Sequence, residues 1–553
     1  MASSEEPNKP ANMHDSSSAS STQPLLSKPY PVPSIEEQDP YSTTPQSDPD
    51  RTQFLQITYN YGPRPFKDLP FLILFLLISL CTFGFGIFSI AHHNSNYSSV
   101  SSFSYDPSSS SCVRSSISSD GSSFTRFGFS NFGSSSKAGF IRGLIWVLVI
   151  TFVLSLPLVW AVLLLLKHYT KQLVYASLPF FIVIPIGVNV YWFVACTVKS
   201  SCSSALPLAY RILLMLFVFL IIGVIVWIFV LNWHRVELTI NIISVASDAL
   251  SRNLGLFGVV PCFKIGLLVY YVPIVVFLVF ARLNGKIVPR ESNGEYYCAW
   301  KRDGWVPAYY ALAILTMLWS ATVMVEAKAY VISGTIAQWY FSKDDSSPKR
   351  KIRSSLRNAL GPSAGTICFS GLIICVVHMV RAAVDSARRE DTTGIVKVVL
   401  RCCVDVCLSA VEFLNKFTIN FAAITGEAYC TSARMTYELL RRNLLSTVFV
   451  ETISTRLLGG IVFVLSAVYA VVVCAILIGV SGLGVYSYYI SLLAWVLLMV
   501  VLGFFVHLLD NVIDTIYVCY AIDRDRGEVC KAEVHDVYVQ LPISRSHRTP
   551  LNV

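Results

Sequence analysis

Leu457–Val480, LLGGIVFVLSAVYAVVVCAILIGV, runs for 24 residues without a charged side chain. At 1.5 Å per residue this is enough to cross the roughly 30 Å hydrocarbon core of a bilayer. Backbone in lipid must satisfy its polar groups internally, so the stretch reads as a transmembrane α-helix. Working outward, nine further stretches read the same way. They are Leu69–Ala91, Gly143–Leu166, Leu173–Val198, Leu208–Leu231, Leu254–Phe280, Val306–Ser333, Ala364–Ser386, Val396–Thr425 and Val485–Leu509. The sequence therefore predicts an all-α, polytopic transmembrane helical bundle of about ten spans.

Composition agrees: 54% of the 553 residues are apolar and 14% charged, with a mean hydropathy of +0.58. Once the spans are set aside, no long soluble stretch remains. The net charge of +9 reads as Lys and Arg retained on the cytoplasmic side of a membrane, with the lipid bilayer as partner and no nucleic acid. The densest basic run, Lys343, Lys349, Arg350, Lys351, Arg353 and Arg357, follows span six and sets both termini in the cytoplasm. Arg282, Lys286, Arg290, Lys301 and Arg302 in the loop after span five oppose that orientation.

Residues 1–66, rich in Ser, Pro and acids, are expected to be a disordered cytoplasmic tail. A transmembrane domain over 67–523 and a second cytoplasmic tail over 524–553 follow. The first 50 residues carry no apolar run of the kind a secretory signal needs, which leaves span one as an uncleaved anchor. Gln23-Pro24-Leu25-Leu26 has the form of a dileucine sorting signal. The plasma membrane is the expected location, with vacuole or Golgi as alternatives.

The first outward loop, about 92–142, is Ser- and Gly-rich and too polar to bury a core. In it Asn96-Tyr97-Ser98 is a candidate N-glycosylation acceptor. Most of the 15 cysteines sit in spans, where Cys acts as a small apolar residue. Cys112, Cys196, Cys202 and Cys298 fall in or beside outward loops, where pairing and free thiols both remain open. Neither a CxxC pair nor a zinc-binding His/Cys spacing is present, so no metal and no cofactor are expected.

His507, Asp510 and Asp514, at i, i+3 and i+7, read as capping and loop pairing at the end of span ten. Without a nucleophile elbow, an HExxH or a phosphate-cradling loop, no catalytic residues are assigned. Binding is the better expectation. Trp319 and Glu326 lie seven residues apart on one face of span six, about 10 Å apart along the axis. An aromatic face and a carboxylate are what a quaternary ammonium requires. Tyr270, before the helix-kinking Pro273, is a second cage candidate. In span eight Asp405, Glu412, Lys416 and Asn420 recur at helical spacing, and Glu412 and Lys416 stand at pairing distance. Charges inside a span face protein or a wet cavity, so Glu412 and Asn420 join the binding candidates. Trp233–Asn253 reads as an amphipathic connector in the interface, with Val236, Ile240, Ile243 and Ala246 opposite Glu237, Asn241, Ser244 and Asp248.

Several strings resemble the choline transporter-like family: VISGTIAQWYF at 331–341, SSLR at 354–357 and GTICFSGLI at 365–373. So do FLNK at 413–416, AAITGE at 422–427, SAR at 432–434 and DTIYVCYAID at 514–523. The resemblance implies a ten-helix carrier moving choline and related amines such as ethanolamine without ATP. It marks Gly334, Trp339, Asn415, Lys416 and Gly426 as family-motif, architectural positions. Two departures stand out: the short Ser-rich first outward loop, and Glu427 where many relatives carry Lys. The expected function is transport of choline or a related small organic amine by alternating access. A carrier or channel for another solute, or a scaffold or lipid-handling protein, is the alternative.

Overall fold

The computed structural model describes residues 59–94, 97, 100, 102–114, 134–198, 207–231, 233–292, 294–342, 351–387, 395–481 and 485–541. Its elements are α1 (Leu69–Ala91), β1 (Phe103–Asp106), β2 (Ser111–Arg114), α2 (Ser134–His168), α3 (Thr170–Val198), α4 (Leu208–Leu231), α5 (Trp233–Ser251) and α6 (Leu256–Arg282). There follow β3 (Gly285–Ser292), β4 (Glu295–Arg302), α7 (Val306–Tyr340), α8 (Lys351–Leu360), α9 (Ala364–Ala387), α10 (Ile395–Thr425), α11 (Tyr429–Ser481), α12 (Tyr486–Arg526) and α13 (Ala532–Tyr538).

All ten expected spans are helices. Among the described residues, eight helices are long and apolar enough to cross a membrane: α1, α2, α3, α6, α7, α9, α11 and α12. Of the other two, α4 is a 24-residue apolar helix, while α10 carries Lys397, Arg401, Asp405, Glu412 and Lys416 along its length. Apolar side chains such as Leu80, Leu213, Leu220, Val471 and Ile476 point outward, where acyl chains would meet them. The protein is an integral, multi-pass helical membrane protein.

Several boundaries differ from hydropathy, because a helix does not stop where its lipid contact stops; α2, for one, begins at Ser134 rather than Gly143. The connector before span nine and the span itself form one 53-residue helix, α11, about 80 Å long. Likewise α7 continues to Tyr340 and α12 to Arg526. These extensions are deeply buried: Ile336, Ala337 and Tyr340 of α7 and Val512, Ile516 and Cys519 of α12 are fully enclosed. Central in the bundle, α7 touches α1, α6, α8, α9, α10 and α12.

The connector α5 has the expected polar stripe, with Glu237 paired to Lys171 at 2.9 Å and Asp248 to Lys167 at 2.9 Å. Its apolar side is wider than an interfacial helix needs. Leu238, Ile242, Ala249 and Leu250 are buried besides Val236, Ile240, Ile243 and Ala246. Enclosed by α2, α3, α11, α12 and α13, α5 is a wedge within the bundle.

The described parts of both supposed tails, 59–66 and 524–541, also belong to the folded body. Tyr59 and Arg64 are buried. After α12, the Cys530 N–H and the His535 ring approach the Asp523 carboxylate at 3.0 and 3.6 Å. Tyr538 of α13 is completely enclosed against Tyr517 and Tyr520.

At the other end, residues 103–114 of the loop read as too polar to bury a core form a hairpin. β1 and β2 pair antiparallel with Tyr105 across from Cys112, and β3 and β4 pair with Pro289 across from Cys298. A disulfide joins Cys112 to Cys298. Tyr105 stacks on Tyr296 at 4.8 Å, and Tyr97 meets Trp300 edge-on at 5.2 Å. Shared aromatic faces and one covalent link supply what a Ser-rich composition lacked. Cys196 is disulfide-bonded as well.

Cutting the inter-hairpin link tests this arrangement. Because the bond closes a 186-residue separation, Cys298→Ser should lower the melting temperature of the purified protein by about 5 °C. It should also make the 103–114 hairpin susceptible to proteolysis. An unchanged digestion pattern means the aromatic contacts alone hold the hairpins.

Candidate functional site

The site grows from one stripe of α7. Trp319, Thr322 and Glu326, at i, i+3 and i+7, all face α9. The Trp319 indole donates to the Cys368 carbonyl at 3.1 Å, and its ring receives the edge of Phe75 from α1 at 5.2 Å. The Thr322 hydroxyl lies 2.7 Å from the Gly371 carbonyl. One turn on, Glu326 is buried at 7% exposure. Sequence spacing thus placed Trp319 and Glu326 on a common face, and the structure brings both against α9.

The polar partners of Glu326 are neutral. Ser370 Oγ lies 3.0 Å from Glu326 Oε2 and 2.8 Å from Asn415 Oδ1, so its one proton serves one of them at a time. Tyr429 donates its hydroxyl to Asn415 Oδ1 at 2.7 Å. Among the described residues no Lys or Arg forms an ion pair with Glu326, although Lys328 is buried on the same helix. Lys328 acts on it only at a distance, and a buried carboxylate with no direct ion pair is costly by several kcal/mol, a cost that a proton or a bound cation would relieve.

Asn415, expected to be architectural, is therefore part of the carboxylate's surroundings. The other α10 candidates separate. Asn420 accepts from Ser333 of α7 at 2.7 Å, with the Thr515 hydroxyl of α12 3.0 Å from Ser333 Oγ. Spacing put Glu412 and Lys416 together, but each is engaged across a helix interface. Glu412 pairs with Arg381 of α9 at 3.0 Å and sits at the periphery, 30% exposed. Lys416 pairs with Asp514 at 2.6 Å and Asp510 at 3.5 Å, and Thr455 of α11 donates to Asp510 at 2.7 Å. Asp510 and Asp514 are therefore not helix-end caps: α12 continues past them, and they clamp α10 within the bundle.

Tyr270 is half-buried and lies 3.2 Å from Ser79 of α1, one turn beyond Phe75, the residue that touches Trp319. It shares the α1 stripe with the site without lining Glu326. Gly334 marks close approach: a Cβ there would lie 2.9 Å from Ser355 Oγ of α8. Trp339 offers its ring to Lys531 at 5.7 Å. Gly426 holds φ 75° in the turn between α10 and α11, a conformation suited to glycine. Asn96 lies outside the described residues. At the hairpin end, a cavity of about 430 Å³ opens between Phe88, His92, Asn284, Lys286, Asp303 and Trp305.

Sequence reasoning missed Ser370, Tyr429 and the partners of Lys416. Ser370 and Tyr429 carry no charge and sit at unremarkable spacing. Asp510 and Asp514 were visible, but nothing in a single sequence pairs them with a lysine on a distant helix.

Residues 216–525, more than half of the chain, match the family described as "Plasma-membrane choline transporter". A CTL-like protein of Dictyostelium discoideum is 27% identical over 228 residues, covering 39% of this chain and 40% of that protein. Choline transporter-like protein 3 of Bos taurus is 25% identical over 313 residues, covering 53% and 46%. Choline transporter-like protein 2 of Xenopus laevis is 30% identical over 149 residues, covering 26% and 21%. The matched regions span less than half the length of each of these relatives. By the extent of the family match, together with its apolar helices, this chain belongs to the choline transporter-like family of multi-pass membrane transporters.

Proposed function

We propose that this protein carries choline or a related small organic amine across the plasma membrane by alternating access. The observation that carries the proposal is Glu326, a buried carboxylate whose hydrogen-bond partners are neutral. A quaternary ammonium has no hydrogen to donate, so a site for it is made of charge and aromatic faces. Glu326 supplies the charge, Trp319 is the nearest aromatic on the same stripe, and Asn415 and Ser370 hold the carboxylate in place. Choline's hydroxyl, absent from simple tetraalkylammonium ions, has Asn415 and Ser370 as natural partners. Asn420 and Lys416 keep α10 in register rather than meeting the ligand.

The two ends of the bundle differ in a way that fits alternating access. Near the Cys112–Cys298 hairpins lies the open cavity containing Asp303 and Trp305, a first contact for a cation entering from an oxidising exterior. The opposite end is closed by Tyr59, Arg64, Tyr340 and Tyr538, all buried. We read this closed end as the cytoplasmic one, in keeping with the basic run after α7.

Radiolabelled choline uptake into liposomes carrying purified protein tests the reading. Wild type should take up choline saturably. Glu326→Gln, similar in shape and lacking charge, should lose at least about tenfold in uptake, the scale of one desolvated charge contact. Uptake equal to wild type would remove Glu326 from the site. Trp319→Leu should raise the half-saturating choline concentration about three- to tenfold, as expected for a lost cation–π contact. A purely packing role for Trp319 would instead lower melting temperature and maximal rate with no change in half-saturation.

A further inference from the structure

Between Tyr59 and Asp68 the chain has no regular secondary structure, and Tyr59 and Arg64 are its buried residues. This short strap nonetheless completes the ends of two helices. The last carbonyls of α10 have no intrahelical donor. Asn60 donates its backbone N–H to the Ile424 carbonyl at 3.2 Å, and the Arg64 guanidinium donates to the Ala423 carbonyl at 2.9 Å. A cation at a helix C-terminus also opposes the helix dipole favourably. The same guanidinium donates to the Tyr330 hydroxyl of α7 at 2.5 Å, and Tyr330 donates onward to Ser363 at 2.7 Å. A Cβ on Gly426 would come within 3.1 Å of Arg64.

Beyond the Gly426 turn, the Tyr429 N–H at the start of α11 is donated to the Asp68 carboxylate at 2.8 Å. Asp68 makes no side-chain cap bond to its own helix, α1. It caps α11 instead, and takes a second bond from Thr366 of α9 at 2.8 Å. Lys67 pairs with Glu427 at 2.6 Å. One strap therefore holds the same ends of α7, α9, α10 and α11 together. Tyr429 joins it to the carboxylate site, with its N–H on Asp68 and its hydroxyl on Asn415 beside Glu326.

We infer that the Tyr59–Asp68 strap is the latch of the gate at its end of the bundle, with Tyr429 linking it to the Glu326 site. The inference rests on the carrier reading above. A cation arriving at Glu326 draws the carboxylate away from Ser370 and Asn415. Asn415 then releases the Tyr429 hydroxyl, and the first turn of α11 shifts off its cap on Asp68. The strap is held by a few polar contacts and two buried side chains, so it opens at far lower cost than the helical core.

Cleavage after Lys67 by a lysine-specific protease, timed on the full-length purified protein with and without choline, reads the latch directly. The docked strap should be cut slowly. Arg64→Ala should accelerate cleavage about tenfold, since it removes several charge-assisted hydrogen bonds. Choline should accelerate it severalfold in wild type and leave Tyr429→Phe unaffected. Cleavage of folded Arg64→Ala within twofold of wild type overturns the latch. A choline response in Tyr429→Phe equal to that of wild type overturns the link. If Arg64→Ala does not fold, Glu427→Gln serves in its place. It removes only the Lys67 pair and should accelerate cleavage about threefold, and an unchanged rate overturns the latch. Should wild type bind no choline in equilibrium dialysis, the substrate reading and the choline-driven link fall together, while the Arg64→Ala arm still decides whether the strap latches the bundle.

Discussion

A charged or polar side chain inside an apolar bundle must be answered from another helix, and that requirement organises this protein. Lipid gives helices little reason to associate by hydrophobicity alone, so close packing and interhelical polar contacts determine which faces meet. Here Lys416 reaches from α10 to Asp514 and Asp510 on α12. Arg381 joins α9 to Glu412 on α10, and Ser333 joins α7 to Asn420 on α10. Each contact fixes an axial register as well as a neighbour. Removing one member of a buried pair strands the other charge, at a typical cost of about 3–5 kcal/mol. Within this frame Glu326 differs in kind, since its hydrogen-bond partners are a serine and an amide rather than a lysine or arginine.

Burial follows the same division. Where helices meet lipid, as along α4, apolar side chains remain open to the surroundings. Where α7 and α12 run past the apolar stretches, Tyr340, Asp523, Tyr517 and Tyr538 enclose one another, and Tyr340 donates to Asp523 at 3.0 Å. This end folds like a small soluble core built from helix extensions, α13, part of α5 and the strap. Burial pushes the Tyr59 hydroxyl up to about 12, so the ring enters this core neutral.

Hydropathy identified the spans because a bilayer tests each segment separately, and Leu457–Val480 qualifies with no knowledge of its neighbours. The stripe of Trp319 and Glu326 was equally legible, since helical geometry alone sets i and i+7 on one face. Local information ends where a partner is distant in sequence. Lys416 has an acid four residues before it, yet it pairs some hundred residues downstream, because in the folded bundle α12 presents two carboxylates to it. Asp68 directly precedes α1 yet caps α11, 361 residues away. The Ser-rich loop became a hairpin because Cys112 and Tyr105 find Cys298 and Tyr296 on another hairpin.

The unequal ends of the bundle bear on how it moves. At the hairpin end a covalent bond and stacked rings join the segment after α1 to the segment between α6 and α7. Such a connection resists separation and suits a pivot. At the strap end, α7, α9, α10 and α11 converge on a segment of ten residues without secondary structure, held by hydrogen bonds and one partly buried ion pair. Polar contacts of this kind exchange readily for water once the strap lifts, whereas a broken aromatic core does not. A carrier needs one barrier that yields on each side of its site. On the reading proposed above, the strap is the barrier that yields at its end, with Glu326 one tyrosine away.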